Sequence, residues 1–180
     1  MFIQIENTPN PNSLKFLPGR KVSNNGPLEI LKQEDTNNLL IKNLLQINGV
    51  TGVFLGEDFF SINKEENKNW EDIQHIVISY VNEHYANGNT CIIDKTHEEE
   101  QHKNYSEIEK KIISVLDSKI RPAVARDGGD ITFKSFKDGV VTVNLQGSCS
   151  GCPSSTMTLK QGVQNLLCHY IPEIKEVIAV

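Results

Sequence analysis

Apolar positions along this 180-residue chain recur with two different periods, and the switches between them mark out the elements. Residues 2–5 (Phe-Ile-Gln-Ile) read as a short strand, and Thr8-Pro9-Asn10-Pro11-Asn12 as a turn-rich break. Ser13 to Leu17 predicts a second strand, stopped by Pro18-Gly19. From Thr36 to Ile47 the period lengthens. Leu40, Leu44 and Ile47 share a helical face thickened by Leu39, Ile41 and Leu45, with Asn48-Gly49 as the stop. Residues 50–55 and 58–62 predict a hairpin around Gly56-Glu57. Residues 70–85 return to helical spacing, with Ile73, Val77, Val81 and His84 on one face.

The pattern then stops. Residues 94–104 contain no apolar side chain, so they cannot bury enough surface to offset the entropy of ordering them. The expected organisation is an N-terminal domain over residues 1–88, a flexible linker over 89–105 and a second domain over 106–180. In the second domain, Ser106 and Glu109 form a capping box. Ile108, Ile112, Val115, Leu116 and Ile120 line a helix that Pro122 bends or ends. Asp127-Gly128-Gly129-Asp130 reads as a turn fixing entry to a strand at 131–136. Lys137-Asp138-Gly139 reads as a tight hairpin into a strand at 140–145. The stretch Gly147-Ser148-Cys149-Ser150-Gly151-Cys152-Pro153, the Cys loop, leads into a helix to His169. Leu159, Val163, Leu166, Leu167 and Tyr170 are its expected buried face. Residues 174–180 read as a closing strand. The fold class is α+β, with two small α/β domains, the second ordered helix-strand-strand-Cys loop-helix-strand.

Composition narrows the partners. A net charge of −5 lacks the basic footprint of a nucleic-acid binder. No apolar run approaches the roughly 18 residues of a membrane span, so neither nucleic acid nor membrane is expected as a partner. The start Met1-Phe-Ile-Gln-Ile-Glu carries neither a signal-peptide pattern nor an Arg-rich presequence, and the expectation is a soluble, unexported chain. In that setting four cysteines (Cys91, Cys149, Cys152 and Cys168) have little use as structural disulfides, and a close pair points to metal or catalysis.

Cys149 and Cys152 are that pair. Pro153 suits the first position of a helix, placing Cys152 beside the N-cap, where free N–H groups and the dipole favour thiolates. Ser154, Ser155 and Thr156 are expected to cap the helix. A structural zinc site needs four ligands, and only His169, seventeen residues on, offers itself. A thioredoxin-type redox pair shares the strand, C-x-x-C, helix order, but lacks the Trp-Cys-Gly-Pro-Cys signature. An inert pair of core thiols is poorly served by a glycine-flanked loop. An iron–sulfur cluster generally takes four cysteines. Cys91 lies 58 positions before Cys149. Cys168 lies sixteen past Cys152, about 24 Å down a helix at ~1.5 Å per residue. Two chains meeting at their Cys loops would supply four thiolates around a two-fold axis. Cys149 and Cys152 are thus the candidate cofactor- and metal-binding residues, half a site completed by a second copy.

With these motifs in view, residues 106–180 resemble the C-terminal domain of NifU. The likeness rests on Arg121-Pro122-Ala123, Asp127 to Ile131, Gly147 to Thr156, Thr158-Leu159-Lys160, Gly162-Val163 and Ile171-Pro172-Glu173. Residues 1–88 resemble the N-terminal domain of Nfu proteins through Thr8 to Phe16. The resemblance implies a non-enzymatic iron–sulfur cluster carrier or scaffold. It implies a [4Fe-4S] cluster, less often [2Fe-2S], bridging a homodimer and passed to apo-proteins after loading by upstream assembly factors. It also implies a bacterial cytoplasmic location, with a processed mitochondrial matrix protein as the alternative. The alternative activity is a thiol–disulfide oxidoreductase using Cys149 and Cys152. His75 and His84 have no nucleophile or base beside them, and His97 and His102 read as solvated linker residues. Cys91 and Cys168 read as incidental, with Cys168 opposite the buried stripe of its helix.

Overall fold

The computed structural model describes residues 2–94, 104–150 and 153–180. The first unit is a five-stranded antiparallel sheet in the order β1-β2-β5-β4-β3. Its strands are β1 (Gln4–Asn7), β2 (Ser13–Leu17), β3 (Leu28–Ile30), β4 (Val50–Leu55) and β5 (Phe60–Lys64). Alternation decides which way each residue faces. Leu14, Phe16, Val53, Leu55, Phe60 and Ile62 turn to one side, where Phe16 and Phe60 stack with ring centroids 5.0 Å apart. Two helices cover that side: α1 (Leu39–Gln46) with Leu40, Ile41 and Leu44, and α2 (Trp70–Ala86) with Ile73, Val77, Val81 and Tyr85. Asn38 caps α1, its side chain accepting from the Ile41 N–H. Each such fully buried apolar side chain contributes roughly 1.5–3 kcal/mol.

Three details depart from the pattern-based reading. The edge strand β3 was not expected, because three residues carry no readable period. On α2 the buried fourth position is Tyr85, while His84 is half-buried and bonds the Cys91 carbonyl at 2.8 Å. Cys91, Ile92 and Ile93, inside the segment read as linker, are buried; Ile92 and Ile93 pack into the first core and Ile93 pairs with Ser23. Residues 95–103 of that segment, with His97 and His102, lie outside the described residues.

The second unit is a three-stranded sheet, β6 (Gly129–Lys137), β7 (Val140–Gly147) and β8 (Glu176–Ala179), in that order. β6 and β7 are an antiparallel hairpin whose turn holds Asp138 at φ 52° and Gly139 at φ 80°, the positive pair a tight hairpin demands. β8 joins β7 in parallel, as the crossover through α5 (Pro153–Tyr170) requires. The capping box at Ser106 opens α3 (Glu107–Val115). The chain then passes through a π turn (Leu116–Ile120) into α4 (Arg121–Arg126), with Pro122 in its first turn. The missing N–H of proline is thus absorbed by a widened turn rather than a stop. Ile112, Leu116, Val124, Val163 and Leu167 close the core over the sheet. Tyr170 is 49% exposed, and the buried position at that end of α5 belongs to Ile171.

The side of the first sheet away from its helices carries a row of paired residues: Glu6, Lys15, Ser61, Phe54 and Glu29, one from each strand. Ser61 is fully buried and Lys15 nearly so, because the second unit lies over this face.

Candidate functional site at the Cys loop

The Cys loop leaves β7 through Gly147, held at φ 68°. A Cβ there would come within 2.7 Å of the Gly128 carbonyl and 2.9 Å of the Phe54 ring, so only glycine lets the three segments meet. The loop then folds on itself. The Ser150 N–H and hydroxyl both donate to the Gly147 carbonyl, at 3.2 and 2.9 Å. The Ser148 hydroxyl donates to the Asp127 carbonyl and its N–H to Gly128. Thr156, in the first turn of α5, donates its hydroxyl to the Cys149 carbonyl at 3.1 Å, tying the loop to the helix. This is a different task from the helix cap expected of it.

Asp127-Gly128-Gly129-Asp130 is the platform under this loop. Asp130, 3% exposed, takes a bidentate bond from Arg121 at 2.9 and 3.0 Å. The pairing pushes the guanidinium pKa further up. Gly129 leaves room for sulfur, since a Cβ on it would lie 2.7 Å from the Cys149 Sγ.

Cys149 itself is 7% exposed. The sequence predicts a thiolate-favouring environment, and at Cys149 the opposite holds. Burial pushes its thiol up to about 11, with the Asp127 and Asp130 carboxylates adding to the effect and the Ser148 hydroxyl opposing it. The cause is position: Cys149 sits inside the core before the helix begins, not at its N-terminus. A thioredoxin-type nucleophile needs a lowered pKa, which this thiol lacks. Beside it runs a largely apolar cleft of about 510 Å³, walled by Ile120, Val124, Leu159, Val163 and Leu166. Cys152 and Gly151 lie outside the described residues. Cys91 is buried with its Sγ 3.6 Å from the Asn24 amide. Cys168 is half-buried against the second core and donates to the Ile174 carbonyl at 3.2 Å, rather than lying opposite the buried stripe. Among the described residues no three His, Cys, Asp or Glu side chains gather as a metal site, and His75 is exposed.

The first unit also grips the loop, through residues the sequence did not single out as functional. Asn10 donates to the Ser148 and Ser150 carbonyls at 3.1 and 3.4 Å, and Asn63 to the Gly147 carbonyl at 3.1 Å. Glu29 accepts from the Gly147 N–H at 3.0 Å, and burial pushes its carboxyl above the usual range. Ser61 donates to the Gly128 carbonyl at 2.7 Å. The available signal was a polar alternation, Ser13 and Lys15, Ser61 and Asn63, opposite the apolar Leu14, Phe16, Phe60 and Ile62 of the same strands.

Residues 3–88 match the family described as scaffold protein Nfu/NifU N terminal, and residues 112–178 match the NifU-like domain. Over 180 residues, 98% of this chain, the sequence is 40% identical to the "NFU1 iron-sulfur cluster scaffold homolog, mitochondrial" of Homo sapiens, covering 71% of that protein. The chain belongs to the Nfu family. A Drosophila ananassae relative with the same description is 42% identical over 98% of this chain, which spans 63% of that protein's length. The solution structure of a NifU-like protein from Saccharomyces cerevisiae is 26% identical, with a TM-score of 0.48, over 53% of this chain and 87% of its own. In Nfu terms, the first sheet and its helices are the N-domain, and the Cys loop belongs to the NifU-like domain. No helix among the described residues is long and apolar enough to cross a membrane.

Proposed function

We propose that this chain is a non-enzymatic carrier that takes up an iron–sulfur cluster as cargo between two copies of itself and hands it to apo-proteins. The observation that carries this reading is the isolation of Cys149 from any other ligand set among the described residues, in a chain of the Nfu family. Cys149 and Cys152 supply two thiolates per chain, and a [4Fe-4S] cluster takes four. Cys91 and Cys168 are each tied to their own surroundings, so the other two come from a second chain. Cys149 waits as a protonated thiol, so taking up iron displaces a proton from sulfur. Ligands split between two chains let the cluster leave when the chains part, which suits transfer better than storage. The names of the relatives support the scaffold role and a mitochondrial setting for a chain of this kind.

The test is transfer. Full chain reconstituted anaerobically with iron and sulfide is expected to restore activity to an apo iron–sulfur enzyme faster than free iron and sulfide do. Cys149→Ala and Cys152→Ala chains are expected to give no acceleration over that background. Equal rates with and without the wild-type chain would defeat the carrier reading.

A further inference from the structure

The N-domain presents a finished surface on the side opposite its helices. That surface is the cross-strand row Lys15, Ser61, Phe54 and Glu29, extended by Asn63 and by Asn10 of the Thr8 to Asn12 turn. Asn10 is aimed by its own turn, since its Oδ1 accepts from the Asn12 N–H at 2.9 Å and leaves the amide free to reach across. What these residues bind is mostly main chain: the Gly147 N–H and carbonyl, the Ser148 and Ser150 carbonyls, Gly128 and Arg126. Among the described residues the one side-chain hydrogen bond is a long one, the Ser150 hydroxyl donating to Glu29 at 3.5 Å, so the surface reads chiefly a backbone shape. Phe54, 2% exposed, packs into neither hydrophobic core and wedges against Gly147. Two positive-φ glycines, Gly128 and Gly147, have N-domain side chains where a Cβ would go.

We propose that the N-domain is a receptor for the chain's own Cys loop, and that it must release residues 147–150 before Cys149 can share a cluster with a second chain. The docked loop has its main chain occupied on the N-domain side, and its sulfur turned inward against Gly129. A sulfur that bridges two chains must face outward, so docking and sharing exclude each other. Release is a local opening, and the reactivity of Cys149 then follows the population of the open form. The purpose of the latch rests on the carrier reading, but the latch itself is measurable without iron or sulfide.

The experiment is alkylation of the metal-free full chain with iodoacetamide at fixed pH, with Cys149 followed by site-resolved mass spectrometry of the 138–160 peptide. An Asn10→Ala/Glu29→Ala chain is expected to label about tenfold faster than wild type. A Glu29→Gln chain keeps an oxygen for the Gly147 N–H and is expected to stay within about twofold of wild type. Hydrogen exchange of α2 reports whether the N-domain remains folded. Ser61→Ala removes one hydroxyl and little packing, and losing that single hydrogen bond predicts labelling about fivefold faster. It decides the matter if the double variant loses α2 protection. A rate within about twofold of wild type in the folded double variant, or in Ser61→Ala if the double variant unfolds, would overturn the latch. That outcome would leave cluster transfer by the wild-type chain untouched, so the two readings fail separately.

Discussion

At the scale of single residues, the Cys loop is governed by burial. Cys149 has a thiol pushed up to about 11 from an ordinary 9.0. Its alkylation in the metal-free chain should therefore keep rising through pH 10, and a plateau near pH 9 would contradict the burial described. The sign for stability follows. Between pH 9 and 11 the unfolded thiol ionises while the folded one stays protonated, so the fold loses stability as pH rises through that window. Arg121 and Asp130 give a second residue-scale prediction. Arg121→Leu leaves a carboxylate with only 4% side-chain exposure unpaired. Because the guanidinium is itself about a third exposed, the expected cost is roughly 2–3 kcal/mol, below the 3–5 of a fully buried pair, read by urea unfolding. The two proposed ligand positions, Cys149 and Cys152, come from the sequence alone, where C-x-x-C before Pro153 is a local signal. The raised thiol of Cys149 was not. It comes first from burial, with Asp127 and Asp130 adding through space, and both depend on the tertiary fold.

At the scale of elements, local chemistry was readable wherever a period or a cap spans enough residues. The capping box at Ser106 and the Asp138-Gly139 turn are where the sequence puts them, and so is most of the apolar face of each N-domain helix, except that Leu39 on α1 is exposed and Tyr85 replaces His84 on α2. β3 was missed because three residues cannot show alternation. Tyr170 was misplaced because the last turn of α5 hands its buried position to Ile171. The Pro122 signal was read correctly as a disturbance, but its form, a π turn between α3 and α4, depends on tertiary packing. Two predictions belong here. Gly147→Ala forces an L-residue into φ 68° and its Cβ into the Gly128 carbonyl and Phe54. It should cost about 1–3 kcal/mol and lower the melting temperature of the full chain. Leu167→Ala empties a fully buried site between α5 and the sheet and should cost about 2–5 kcal/mol, again by urea unfolding. A melting temperature unchanged by either substitution would contradict the packing described around the loop.

At the scale of the molecule, the two units are not beads on a string. The N-domain sheet is covered on one side by its own helices and on the other by the Cys loop and its platform. Composition and motif suggest an N-terminal part and a cysteine-bearing part, and the two family matches fall over residues 3–88 and 112–178. The docking of one on the other was not, because polar residues binding main chain leave no hydrophobic pattern. Ser61 in a strand looks like an ordinary solvent-facing serine until a carbonyl 67 positions away is found 2.7 Å from it. In the proposed carrier, two chains share one cluster through Cys149 and Cys152. The measurement that bears on it most directly is native mass spectrometry of the full chain after anaerobic reconstitution. A dimer carrying the mass of one [4Fe-4S] unit is expected, absent from the Cys149→Ala and Cys152→Ala chains. A cluster-bearing monomer, or a full cluster held by either variant, would contradict it.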